Sequence, residues 1–154
     1  MRKLYFQGPN GEFWADPRPE DLEDVVLRRG ADYWHAYNGD ACIRYEEADF
    51  SNVLFLVFNP EHGFVVRLEN ETRPSEDSLE EGLDYVLCTE TGDRTDESKY
   101  PALLGASPTL WPARCFVPPA VAWTMVSEFC RSGRRPAVPS GHEWVDSSEI
   151  EVDF

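Results

Sequence analysis

The sequence predicts an α+β fold, a mostly antiparallel β-sheet packed against two helices, and three observations lead to it. Short runs rich in β-branched and aromatic residues recur between turn residues, at 3–7, 12–14, 41–45, 53–58, 64–68, 84–89 and 143–145. Only two segments, after Pro17 and after Pro118, carry apolar residues at helical spacing. Strands and helices do not alternate regularly, so turns rather than crossover helices join most of the strands.

In chain order, Lys3-Leu4-Tyr5-Phe6-Gln7 reads as a strand, Pro9-Asn10-Gly11 as a turn and Glu12-Phe13-Trp14 as its return. Leu4 to Gly8 resembles the end of a protease-cleavage tag. The preceding Arg2-Lys3 does not fit one, and residues 3–6 are read as a native first strand. Asp16-Pro17-Arg18-Pro19 opens the first helix. Glu20, Asp21, Glu23 and Asp24 suit the positive end of its dipole, and Leu22, Val25 and Val26 form its buried stripe. Arg28 and Arg29 suit its other end, with Gly30 as a cap.

Residues 53–58, Val-Leu-Phe-Leu-Val-Phe, are continuously apolar and predict a central strand. Asn59-Pro60-Glu61-His62-Gly63 turns the chain into the partner strand 64–68. A short strand is expected over 113–117. The second helix then runs from Pro118-Pro119 to about Arg131, with Ala122, Met125, Val126 and Phe129 inward, Trp123 and Cys130 on its shoulder, and Gly133 as its stop.

The chain of 154 residues fits one domain, spanning 1–154. Its formal charge is -15, from 29 acids against 14 bases. Such a field repels polyanions, which argues against nucleic acid or an anionic membrane as partner, and it attracts a basic protein. Acidity also serves plain solubility. The acids thicken in two polar connectors. Residues 69–83 hold Glu69, Glu71, Glu76, Asp77, Glu80 and Glu81, and residues 90–99 hold Glu90, Asp93, Asp96 and Glu97, opposed by only Arg73, Arg94 and Lys99. No secretory signal and no apolar run near ~18 residues is evident, so a cytoplasmic protein is expected.

Few residues suggest chemistry. His35, His62 and His142 are scattered, and none has a ligand at helical spacing, so no metal is expected. Neither the phosphate loop, the dinucleotide glycine fingerprint nor the zinc-deaminase signature occurs, so no cofactor is expected. Cys42, Cys88, Cys115 and Cys130 sit among apolar residues and read as buried free thiols. Cys42 with His35 is the nearest candidate for a nucleophile and its base. The aromatic cluster Asp32-Tyr33-Trp34-His35-Ala36-Tyr37 reads either as a packing corner between the first helix and the sheet or as an interface patch.

The C-terminal third carries a composite pattern: Cys115-Phe116-Val117-Pro118-Pro119-Ala120, Ala122-Trp123, Glu128-Phe129, Gly133-x-x-Pro136 and Trp144. Over roughly residues 113–145 this resembles the immunity-protein-one family of bacterial polymorphic toxin systems, with a longer loop before Trp144. The resemblance implies a non-enzymatic antitoxin that binds a cognate toxin, often a nuclease or a nucleic-acid deaminase. A toxin that grips nucleic acid presents a basic groove, which an acidic blocker complements. The partner surface is accordingly expected at Glu76, Asp77, Glu80, Glu81, Asp93, Asp96 and Glu97, joined by Tyr33 and Trp34. The alternatives are a small enzyme using Cys42 and His35, or an adaptor for a protein other than a toxin.

Overall fold

The computed structural model describes residues 2–35, 38–48, 50–70, 84–89, 98–104 and 106–154. Strands β1 (Lys3–Gln7) and β2 (Phe13–Ala15) lead into helices α1 (Pro19–Leu27) and α2 (Gly30–Trp34). Then come β3 (Asp40–Glu46), β4 (Ser51–Asn59), β5 (Gly63–Asn70), β6 (Asp84–Thr89), β7 (Lys99–Leu104) and β8 (Ser107–Pro112). A short 3-10 turn leads to β9 (Phe116–Val117), α3 (Pro119–Ser132) and β10 (His142–Asp146). The expected α+β class with an antiparallel sheet is what the chain adopts, with the short α2 as an additional helix. The main sheet runs β10-β6-β5-β4-β3-β1-β2, and every pairing in it is antiparallel.

β4 is the middle strand, and its unbroken apolar run has a simple cause. Leu54, Leu56 and Phe58 face the helices, while Val57 faces a second core on the other side. A strand buried on both faces loses the polar alternation of a half-exposed one. On the helix side, Leu22, Val25 and Val26 of α1 and Ala122, Met125, Val126 and Phe129 of α3 pack over the sheet. The prolines at the start of both helices and Gly133 at the end of α3 act as the sequence suggests. Gly133 is required by position. Its φ is +68°, and a Cβ there would lie 2.0 Å from the Tyr45 ring.

Opposite the helices, Ala102 and Trp111 of the β7–β8 hairpin and Ile150 and Val152 of the C-terminal segment pack over Val57, Val65, Val86, Phe116 and Val145 of the sheet. The edge of β5 is shared. β6 pairs with it from Asp84 to Val86, and β9 then pairs with Phe64 and Val65. Gly63 makes this possible, because a Cβ at its φ of +97° would lie 2.1 Å from the Val117 carbonyl oxygen. The expected strand over 113–117 is thus a 3-10 turn at Ala113–Cys115 followed by two residues of strand. Among the described residues, no helix is long and apolar enough to cross a membrane.

Candidate functional site

Among the described residues, a concavity lies where the β4–β5 turn meets the β7–β8 hairpin. It is a cleft of about 530 Å³, within the ~300–1,000 Å³ of ordinary ligand and anchor pockets. One wall is the turn, with Pro60, Glu61 and His62; the other is Pro101, Ala102, Leu103 and Pro108 of the hairpin. The His62 ring stacks on Tyr100, with centroids 3.6 Å apart and planes 10° from parallel. His35, at the end of α2, stands edge-on to Phe58 and closes the third side. The Glu61 side chain is 84% exposed at the rim.

Asn59 holds the two walls together. It is 5% exposed, the last residue of β4, and its side chain makes three hydrogen bonds. Its Oδ1 accepts from the backbone N–H of Glu61 at 2.8 Å and of His62 at 2.9 Å, which shapes the turn. Its Nδ2 donates to the Pro101 carbonyl at 2.7 Å, which ties that turn to the hairpin. Within the hairpin, Thr109 Oγ1 donates to the Ala102 carbonyl at 3.0 Å and accepts from the Trp111 indole N–H at 2.9 Å. The walls are therefore fixed before any ligand arrives. In the sequence Asn59 is visible only as a turn residue, through the Asn-Pro step.

The aromatic pair divides. Trp34 is fully buried between Phe58 and Phe64, and its indole N–H donates to the Val25 carbonyl at 3.3 Å. The expectation that Trp34 belongs to a partner surface is corrected. It is the packing corner between the helical layer and the sheet. Tyr33 is half-buried under the Arg29 guanidinium, 4.7 Å above its ring. Burial, then the adjoining Glu12 carboxylate, raises its phenol above the ordinary range. A Cβ on Gly8 would meet both the Glu12 Oε1 and the Tyr33 hydroxyl, so these two groups share one buried niche under the β1–β2 turn.

Cys42 and His35 do not meet. Cys42 alternates with Ile43 on β3, and its thiol donates to Gln7 Oε1 at 3.5 Å on the face away from the helices. His35 packs on Phe58, on the helix face. The sheet separates the two side chains. None of the four cysteines is in a disulfide; Cys88 and Cys115 are buried with sulfurs 3.8 Å apart, whereas Cys42 and Cys130 are only half-buried. Among the described residues, no group of three or more His, Cys, Asp or Glu side chains is placed to hold a metal ion.

The expected acidic surface, Glu76, Asp77, Glu80, Glu81, Asp93, Asp96 and Glu97, lies outside the described residues. Its flanking residues are described. Asn70 and Asp84 bracket the first segment where β5 and β6 pair, and Arg67 grips Asp84 there with a two-pronged ion pair, Nε to Oδ1 at 2.9 Å and Nη2 to Oδ2 at 2.7 Å. Thr89, which precedes the second segment, is at the other end of β6, about 16 Å away at ~3.3 Å per strand residue. That is the sheet end at which Gly63 and the cleft sit. The chain matches no family model, no curated protein and no solved structure.

Proposed function

We propose that this protein is an immunity-type inhibitor that works in the cytoplasm, without turnover, by binding a toxin domain with a basic surface. The observation that carries the reading is the charge, -15 from 29 acids and 14 bases. A field of that sign steers a basic partner into encounter and disfavours nucleic acid. The pattern over 113–145, which resembles the immunity-protein-one family, supports it, and so does a rigid apolar cleft of the kind that seats an interface anchor.

The test is co-expression with the product of a neighbouring toxin gene, scoring growth, followed by affinity measurements across a salt series. Rescue of growth and an association rate that falls steeply with salt are expected. Reversing Glu76, Asp77, Glu80 and Glu81 together should slow association by on the order of tenfold at low salt and flatten the salt dependence. Unchanged affinity in that variant would remove those four residues from the interface, and absence of rescue would overturn the reading itself.

A further inference from the structure

We propose that the cleft between the β4–β5 turn and the β7–β8 hairpin is an anchor pocket for one aromatic side chain of a basic protein partner, flanked in that partner by Lys or Arg. The proposal deepens the immunity reading and rests on it for the partner's identity. Three features of the described residues lead to it. The walls are apolar and ring-lined, with Pro60, Pro101, Leu103 and Pro108 around the stacked His62–Tyr100 pair, a surface that suits a planar apolar group. The pocket is preformed, because Asn59 locks the turn to the hairpin through Pro101, so little conformational freedom is lost when it fills. The charge at its mouth is negative. Glu61, whose carboxylate lies 3.9 Å from the His62 Nε2, stands 84% exposed at the rim of a chain carrying -15, so cations beside the inserted ring are favoured and carboxylates are repelled.

Fully desolvated pockets that take one large side chain are where interfaces concentrate their energy. The acids then set the rate of encounter and the cleft sets how long the complex lasts.

The experiment uses the free full-length chain and three capped tripeptides, Arg-Phe-Arg, Arg-Ala-Arg and Glu-Phe-Glu, titrated against backbone amide shifts. Arg-Phe-Arg is expected to shift Glu61, His62, Tyr100, Ala102 and Leu103 selectively. It should bind about tenfold or more tighter than Arg-Ala-Arg, the difference that burying one phenyl ring makes. Glu-Phe-Glu should be weaker than Arg-Phe-Arg, and Glu61→Lys, at an exposed site that leaves the fold intact, should narrow or invert that preference. Shifts centred elsewhere, equal binding of Arg-Phe-Arg and Arg-Ala-Arg, or indifference to the sign of the flanking charge would each overturn the proposal. No toxin is needed, so the two readings fail separately. A chain that protects cells but shows no cleft shifts loses only the anchor. Selective cleft shifts without protection lose only the immunity reading.

Discussion

Replacing Asn59 by Ala should loosen the cleft and cost measurable stability, and the size follows from its three hydrogen bonds. Asn59 is 5% exposed, so the Glu61 and His62 amides and the Pro101 carbonyl are deprived of a partner that water cannot fully replace. At ~0.5–1.5 kcal/mol for each bond, the total is about 1.5–4.5 kcal/mol. For a chain of this length that corresponds to a fall in Tm of about 3–18 °C. Asn59→Asp separates the two functions of the side chain. It keeps both acceptor bonds of the turn but turns a carboxylate toward the Pro101 carbonyl, so it should free the hairpin while leaving the turn formed. Urea denaturation gives the energy, and amide hydrogen exchange gives the place. In the Ala variant the Glu61 and His62 amides should exchange faster, and in the Asp variant they should stay protected. A loss below ~0.5 kcal/mol, or protection of those two amides in Asn59→Ala, would refute the claim that this side chain holds the walls.

Gly133→Ala should destabilise by about 2–4 kcal/mol, combining the ~1–2 kcal/mol of a left-handed backbone with the overpacking of a methyl group against Tyr45; denaturant midpoints check it, and a loss under ~1 kcal/mol would mean that the helix end relaxes freely. Of the four thiols, Cys42 should react first with Ellman's reagent. Burial pushes the Cys130 thiol up to about 12, and Cys88 and Cys115 are fully buried, so those three should react slowly or only with unfolding, as a time course of thiol release on the wild type and Cys42→Ala will show. Stability should fall as pH rises above about 9. Tyr33 is held neutral first by burial and then by Glu12, Cys115 by its bond to Cys88 and by burial, and Cys130 by burial. The unfolded chain loses these protons near ~8.5–10 while the folded chain retains them, so their contribution is whole at neutral pH and is lost on the alkaline side. Tyr33→Phe should flatten that decline in urea titrations run at successive pH values, and an unchanged slope would acquit Tyr33.

The parts of the fold legible in the sequence are those whose signals are local. Pro118-Pro119, the apolar spacing from Ala122 to Phe129 and Gly133 locate α3 because start, face and stop are all written within fifteen or so residues. The run at 53–58 announces a strand covered on both sides. The β7–β8 hairpin was hidden by Pro101, Pro108 and Pro112, which argue against strand in a large sheet. They are tolerated here because each strand of a two-stranded sheet has an outer side where a missing N–H breaks no ladder, and on β8 the bridge to Asp153 uses Leu110, between the prolines. Helix α2 has five residues, too few for a periodic pattern, and β9 has two. Both exist through tertiary packing, α2 because Trp34 is buried and β9 because Gly63 lets Val117 approach.

The site was less legible, for a geometric reason. Tyr33 and Trp34 are neighbours in sequence, but adjacent residues on a helix point ~100° apart. Trp34 therefore enters the core while Tyr33 lies sideways under Arg29, and an aromatic pair on one turn does not make one patch. Large amphipathic rings mark cores and interfaces alike, so residue type alone does not choose between them. The cleft depends on Asn59 reaching Pro101, 42 residues away, a link that no local pattern carries. The two acidic connectors look like one feature in sequence because a single strand divides them. In the fold they join the sheet at opposite ends of β6, about one strand length apart, and only the end at Thr89 is shared with the cleft. If the acids govern encounter and the cleft governs residence, charge reversal at 76, 77, 80 and 81 should alter the association rate and leave dissociation nearly unchanged, while filling the cleft should do the reverse.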